Sequence, residues 1–140
     1  MQKPKITLWR KYSLCLLLVA ISSGSMYAQQ SYPDTSRWIG QWADEGDLTY
    51  SLEAMIVIQK NGDAKGIFDW TMIYSPYSEH RGLTGNTGRE ILEGKYHKYS
   101  SILRLENVAV IQDVEIISGD KYLIQFVNSG EKMVGQNFNP

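Results

Sequence analysis

Cysteine is almost absent from this chain: 140 residues contain one, Cys15, close to the N-terminus. Beyond it, disulfides, thiolate catalysis and cysteine-ligated zinc are excluded. Short exported domains commonly lean on disulfides, so a domain built from the rest of this chain depends on its core. Helical periodicity is missing too, and nothing after residue 28 reads as a helix of ten residues or more. The apolar run Leu14–Ile21 falls far short of the roughly 20 residues that span a bilayer as a helix. Histidine is confined to His80 and His97, whose spacing matches no metal motif. No serine sits in Gly-x-Ser-x-Gly, and Gly82, Gly85 and Gly88 lack the lysine and context of a phosphate loop. The acid pairs Glu90/Glu93 and Asp113/Glu115 read as ordinary acidic surface. The expectation is a protein that is not an enzyme, with no metal and no cofactor.

What is present begins with an export signal. Lys3, Lys5, Arg10 and Lys11 stand among the first eleven residues without an acid, the apolar run follows, and Ser22, Ser23, Gly24 and Ser25 lead to Ala28. Basic start, apolar core and small-residue end are the order of a secretory signal peptide, expected over residues 1–28. Met26 stands where a small residue is preferred, so cleavage after Ala28 competes with a cut a few residues earlier. Cys15 lies near the start of the apolar core, not at its end, so lipidation is not expected. The product is expected in the periplasm or outside the cell, with no stable transmembrane anchor. Losing residues 1–28 removes four of the fourteen basic residues and none of the fifteen acidic ones, taking the charge from −1 to near −5. That balance offers no electrostatic footprint for nucleic acid.

Residues 29–36 are polar, include Pro33 and read as a flexible lead-in to a single domain over 37–136, followed by a tail at 137–140. Leu48, Tyr50, Leu52, Ala54, Ile56 and Ile58 alternate with more polar positions, the period-two pattern of a strand with one face on a core. Asn61-Gly62 predicts a two-residue turn. The return strand Lys65–Tyr74 carries Phe68, Trp70, Met72 and Tyr74 on one face. Ser75–His80, with Pro76, breaks the pattern into a longer loop. Further strands are expected over Arg89–Tyr99, Ser101–Ile111, Val114–Ile117, around Tyr122–Val127 and beyond Gly130, with Gly66 and Gly94 marking curvature or a bulge. The class is all-β: a small antiparallel up-and-down β-barrel of about seven to nine strands, with a β-sandwich as the alternative.

Gly40-Gln41-Trp42, near the start of the expected domain, resembles the Gly-x-Trp signature of lipocalin-like and avidin-like barrels. The resemblance implies a tryptophan on the first strand packed across the closed end of a barrel, and an apolar ligand cavity.

Two surfaces are candidates for function. One is the aromatic face of Tyr50, Phe68, Trp70, Met72, Tyr74 and Tyr96, which either lines a pocket or fills the core. The other is a loop bearing Tyr77, Glu79, His80 and Arg81, suited to contacting a protein or glycan or simply solvated. The expected function is a secreted, non-enzymatic barrel binding a small apolar ligand or an extracellular or envelope protein. The alternatives are a structural, envelope-associated protein with a filled core and no small-molecule site, and a secreted inhibitor or interaction protein.

Overall fold

Alternating side chains need a partner strand on each side, and a ring of antiparallel strands supplies both without leaving an edge. In the computed structural model, which describes residues 6–10, 34–43 and 48–138, the chain does this by a simple meander. Cys15, the expected cleavage point, the lead-in as far as Pro33 and residues 44–47, whose sequence Asp-Glu-Gly-Asp predicts an acidic turn, lie outside the described residues. Seven strands, β2 (Asp34–Ala43), β3 (Thr49–Ile58), β4 (Asp63–Tyr74), β5 (Thr87–His97), β6 (Ile102–Gln112), β7 (Lys121–Val127) and β8 (Lys132–Phe138), form a nearly closed antiparallel barrel. The short β1 (Ile6–Arg10), from within the expected leader, pairs with both β2 and β8 and completes the ring. The sandwich alternative is thereby set aside.

The expected hairpin is present as β3 and β4, with Leu52 opposite Trp70 and Ala54 opposite Phe68. Its turn differs from the expected two-residue form. The Gly62 N–H bonds the Gln59 carbonyl, the Gln59 N–H bonds the Asp63 carbonyl, and only Gly62 takes a positive φ, +85°. That is a three-residue connection with glycine in the left-handed position. Asn61 contributes through its side chain, accepting from the Asp63 N–H at 3.0 Å. The curvature expected at Gly94 also has a different cause. The register slips between Ile91 and Leu92, so that Val108 bulges from β6. Gly94 instead permits close approach: a Cβ there would lie 1.8 Å from the Arg104 carbonyl oxygen. Residues Val114–Ile117, expected as a strand, form part of an irregular connection.

Inside, Trp38, Leu52, Ile56, Phe68, Met72, Leu92, Leu103, Leu105, Ile124 and Met133 are fully buried and fill the interior of the barrel. Outside, ion pairs join neighbouring strands: Arg37–Glu53, Lys65–Glu93, Asp69–Arg89, Asp63–Lys95 and Glu106–Lys121. Exposed pairs of this kind add little to stability, because water and salt screen them. An apolar lumen and a charged wall are the reverse of a membrane-crossing barrel. Among the described residues, no helix is long and apolar enough to cross a membrane.

The two ends of the barrel differ. One, the turn end, carries the short connections 59–62, 98–101 and 128–131. The other, the loop end, carries the longer connections 75–86 and 113–120.

Candidate functional site at the loop end

Inward positions near the end of each strand cannot pack against a further layer, so they face either a plug or a cavity. At the loop end they face a cavity of about 540 Å³. Its floor is aromatic: Trp42, Tyr50, Trp70 and Tyr122. Trp42 meets Trp70 and Tyr122 edge-on, with centroids 5.7 and 5.9 Å apart, and Trp70 stacks near-parallel on Tyr122. Each such pair is worth about 0.5–1.5 kcal/mol beyond its buried area, which fixes the ring orientations.

The long connections build the walls. Loop 75–86 supplies Glu79, His80 and Leu83. It is held by the Gly85 N–H to the Met72 carbonyl, the Met72 N–H to the Asn86 carbonyl, and a 2.8 Å bond between Ser75 Oγ and His80 Nδ1. Loop 113–120 supplies Glu115, Ile116, Ile117, Ser118 and Asp120. Gln112 clamps it, accepting from the N–H groups of Ile116 and Ile117 and donating to the Ile117 carbonyl. The Tyr50 hydroxyl donates to the Ile116 carbonyl at 2.7 Å. The backbone of that loop is thus secured from two sides.

Beneath the floor lies a carboxylate that does not reach solvent. Glu90 is 0% exposed. Its Oε2 accepts from Trp70 Nε1 (2.8 Å) and the Tyr122 hydroxyl (2.5 Å); its Oε1 accepts from Asn107 Nδ2 and the Asp120 N–H, both at 3.2 Å. A carboxylate has about four acceptor sites, and here four donors occupy them. Burial pushes the Glu90 pKa up, and the donors, Tyr122 first, only partly offset it. Burial and then the Glu90 charge push the Tyr122 phenol far up, so it stays protonated and donates. Glu90 joins β5 to β4, β6, β7 and the end of loop 113–120. It is a tie-point, closed to a ligand by its own partners. The expectation of an acidic surface at Glu90 is therefore overturned, whereas Glu93 is exposed and paired with Lys65. One signal marked it: Glu90 shares the inward parity of Leu92.

The aromatic face does not form one site. Tyr50 and Trp70 line the loop-end cavity; Phe68 is packed in the core, and Met72, opposite Tyr50 near the loop end, is fully buried and lines neither cavity. Tyr96 lies at the turn end, where it meets Phe126 edge-on and, with Trp38 and Ile58, borders a second cavity of about 370 Å³. Tyr74 leaves the row altogether. The β3–β4 register slips between Thr49 and Tyr50, turning Tyr74 outward at 53% exposure. Of the loop candidates, Glu79 and His80 come to the loop-end cavity. Tyr77 is exposed with its ring edge-on to His80, and Arg81 is exposed. Two surfaces separate in sequence thus meet at one mouth.

Trp42, the tryptophan of the Gly-x-Trp signature, floors that mouth rather than crossing a sealed end. Among the described residues, no group of three or more histidines, cysteines or acids is placed to hold a metal ion. No protein-family model matches the chain, and no curated protein or solved structure shows significant similarity to it.

Proposed function

We propose that this is an exported, non-enzymatic binding protein whose barrel holds a small, largely apolar ligand in the loop-end cavity. The observation that carries this reading is the cavity itself: about 540 Å³ over an aromatic floor, at the end with the long connections. Pockets of roughly 300–1,000 Å³ lined by aromatic rings and a few polar groups are the usual form of small-molecule sites. Polar groups converge here from both loops and from β8: His80, Asp120 and Asn137, the last donating to Asp120 Oδ2 at 2.7 Å. The packed middle limits the ligand to the mouth of the barrel. On this reading export removes the leader and with it β1, so the mature barrel comprises β2–β8.

Native mass spectrometry of the mature protein purified from its source tests the proposal. A retained small molecule, displaced when Trp42 is replaced by leucine in a variant that still folds, is the expected result. A bare mass together with unresponsive tryptophans, across a panel of small amphiphiles, would contradict it.

A further inference from the structure

The charge around the cavity is one-sided. Among the described residues, three carboxylates, Glu79, Glu115 and Asp120, line it beside His80, and no lysine or arginine does. Elsewhere the fold treats its acids differently. Glu53, Asp63, Asp69, Glu93 and Glu106 on the barrel wall each have a basic partner on a neighbouring strand. Among the described residues, none of the three cavity acids is in an ion pair. Glu79 accepts only a long bond from Ser78 Oγ at 3.4 Å, and Asp120 bonds the neutral amide of Asn137. Below the rim lie the rings of Trp42, Tyr50, Trp70 and Tyr122, whose faces carry negative electrostatic potential. A cation over such rings gains about 0.5–2 kcal/mol, more as the site is desolvated.

The geometry points to a cationic ligand: a small organic ammonium whose apolar body lies on the aromatic floor and whose charge faces the acidic rim. This rests on the loop-end cavity being the binding site. The rings and the carboxylates then act together. The rings accept the apolar body and the weakly hydrated surface of a substituted ammonium, and the unpaired acids supply the long-range attraction. A neutral ligand of the same shape gains only the first, and an anion meets repulsion from the second.

The test compares three probes on the mature chain at pH 8, followed by the indole N–H signals of Trp42 and Trp70. They are phenyltrimethylammonium, its neutral isostere tert-butylbenzene, and benzenesulfonate. The expected result is that the cation binds about tenfold or more tighter than the neutral probe, with the anion weakest. Added salt should weaken the cation alone. Glu79 and Glu115 sit on exposed loop positions, so E79Q/E115Q leaves the core untouched. It is expected to weaken the cation about three- to tenfold and leave tert-butylbenzene unchanged. If the neutral probe or the anion binds as tightly as the cation, the cationic assignment falls while the cavity remains the site. If no probe of any charge moves Trp42 or Trp70, the cavity reading falls with it.

Discussion

The two ends of the barrel are made from the same seven strands, yet the chain spends its residues on them differently. At the turn end, three short connections reverse the chain, and backbone geometry carries the load. Gly62, Ser101, Asn128 and Gly130 all take positive φ there, two of them at the strain cost of a side chain. Trp38 is tilted against Phe126 and donates from Nε1 to Ser36 Oγ, a bond local to its own strand. At the loop end the connections are long: loop 75–86 is held by backbone bonds to Met72, and loop 113–120 by side chains, Glu90 and Tyr50 reaching from other strands and Gln112 from the loop's own base. Short turns fix a barrel; long connections secured by buried polar groups shape a mouth. Loops set on a rigid scaffold are where binding residues concentrate, and here the larger of the two cavities lined by described residues lies at that end.

The largest expected effect comes from cutting the tie-point of the loop end. Glu90→Ala leaves the Trp70, Tyr122, Asn107 and Asp120 donors without their acceptor and opens a void, at an expected cost of about 3–5 kcal/mol in chemical denaturation. Glu90→Gln keeps the volume but turns an amide donor toward donors; about 1–3 kcal/mol is expected. Equal, small losses for both would mean that the network adds nothing to the loop end. At the turn end, Gly62→Ala forces a Cβ into a left-handed residue and to within 2.8 Å of the Tyr96 carbonyl oxygen. A loss of about 1–2 kcal/mol is expected, read as a lower denaturation midpoint with unchanged Trp42 and Trp70 signals. A response of those two indoles would break the independence of the ends.

Gln112→Ala sharpens the comparison further. It removes three hydrogen bonds from loop 113–120 while the barrel wall stays intact. Amide exchange is expected to accelerate in that loop, with little change in β3 and β4; uniform acceleration would mean that the loop and barrel open together. The smallest effect is on pH dependence, where the two ends have opposite signs. The Glu90 pKa is raised by burial, so the folded chain holds that proton to higher pH than the unfolded one. Stability then falls as pH rises from the usual carboxylate range through the folded value. Asp63, beside the turn, is lowered by its hydrogen bonds from Lys95 and Asn61. Its contribution is present above the usual range and lost as pH falls through the lowered value. Melting temperatures between pH 3 and 8 should therefore flatten on the neutral side for E90Q and on the acid side for D63N. The same curve for both variants would overturn the assignment of opposite signs.

The strands were legible because local alternation encodes them. The inward row from Tyr50 to Ile58 reads directly from the sequence and is buried as read. The row on β4 holds through Met72 and fails only at Tyr74, because the register slip that turns Tyr74 outward is a property of two strands together. Val108 is exposed for the same reason, sitting at the bulge opposite β5. Asn61-Gly62 marked the turn but not its type, since one positive φ serves where two were expected. The site was less legible. Its tie-point depends on partners 17 to 32 residues from Glu90, brought together by the pairing and curling of β4 to β7. Parity placed Glu90 inside; nothing local said what would satisfy it there.

The central claim is that binding belongs to the loop end, and the tryptophans report on it directly. Trp42 and Trp70 floor the loop-end cavity, while Trp38 borders the cavity at the turn end. The measurement is a titration of nitrogen-15-labelled protein lacking residues 1–28 with phenyltrimethylammonium and tert-butylbenzene, following all three indole N–H resonances. The account predicts that whichever probe binds shifts Trp42 and Trp70 in a saturable manner and leaves Trp38 in place. A saturable shift of Trp38 alone, or no shift of any indole with either probe, would contradict it.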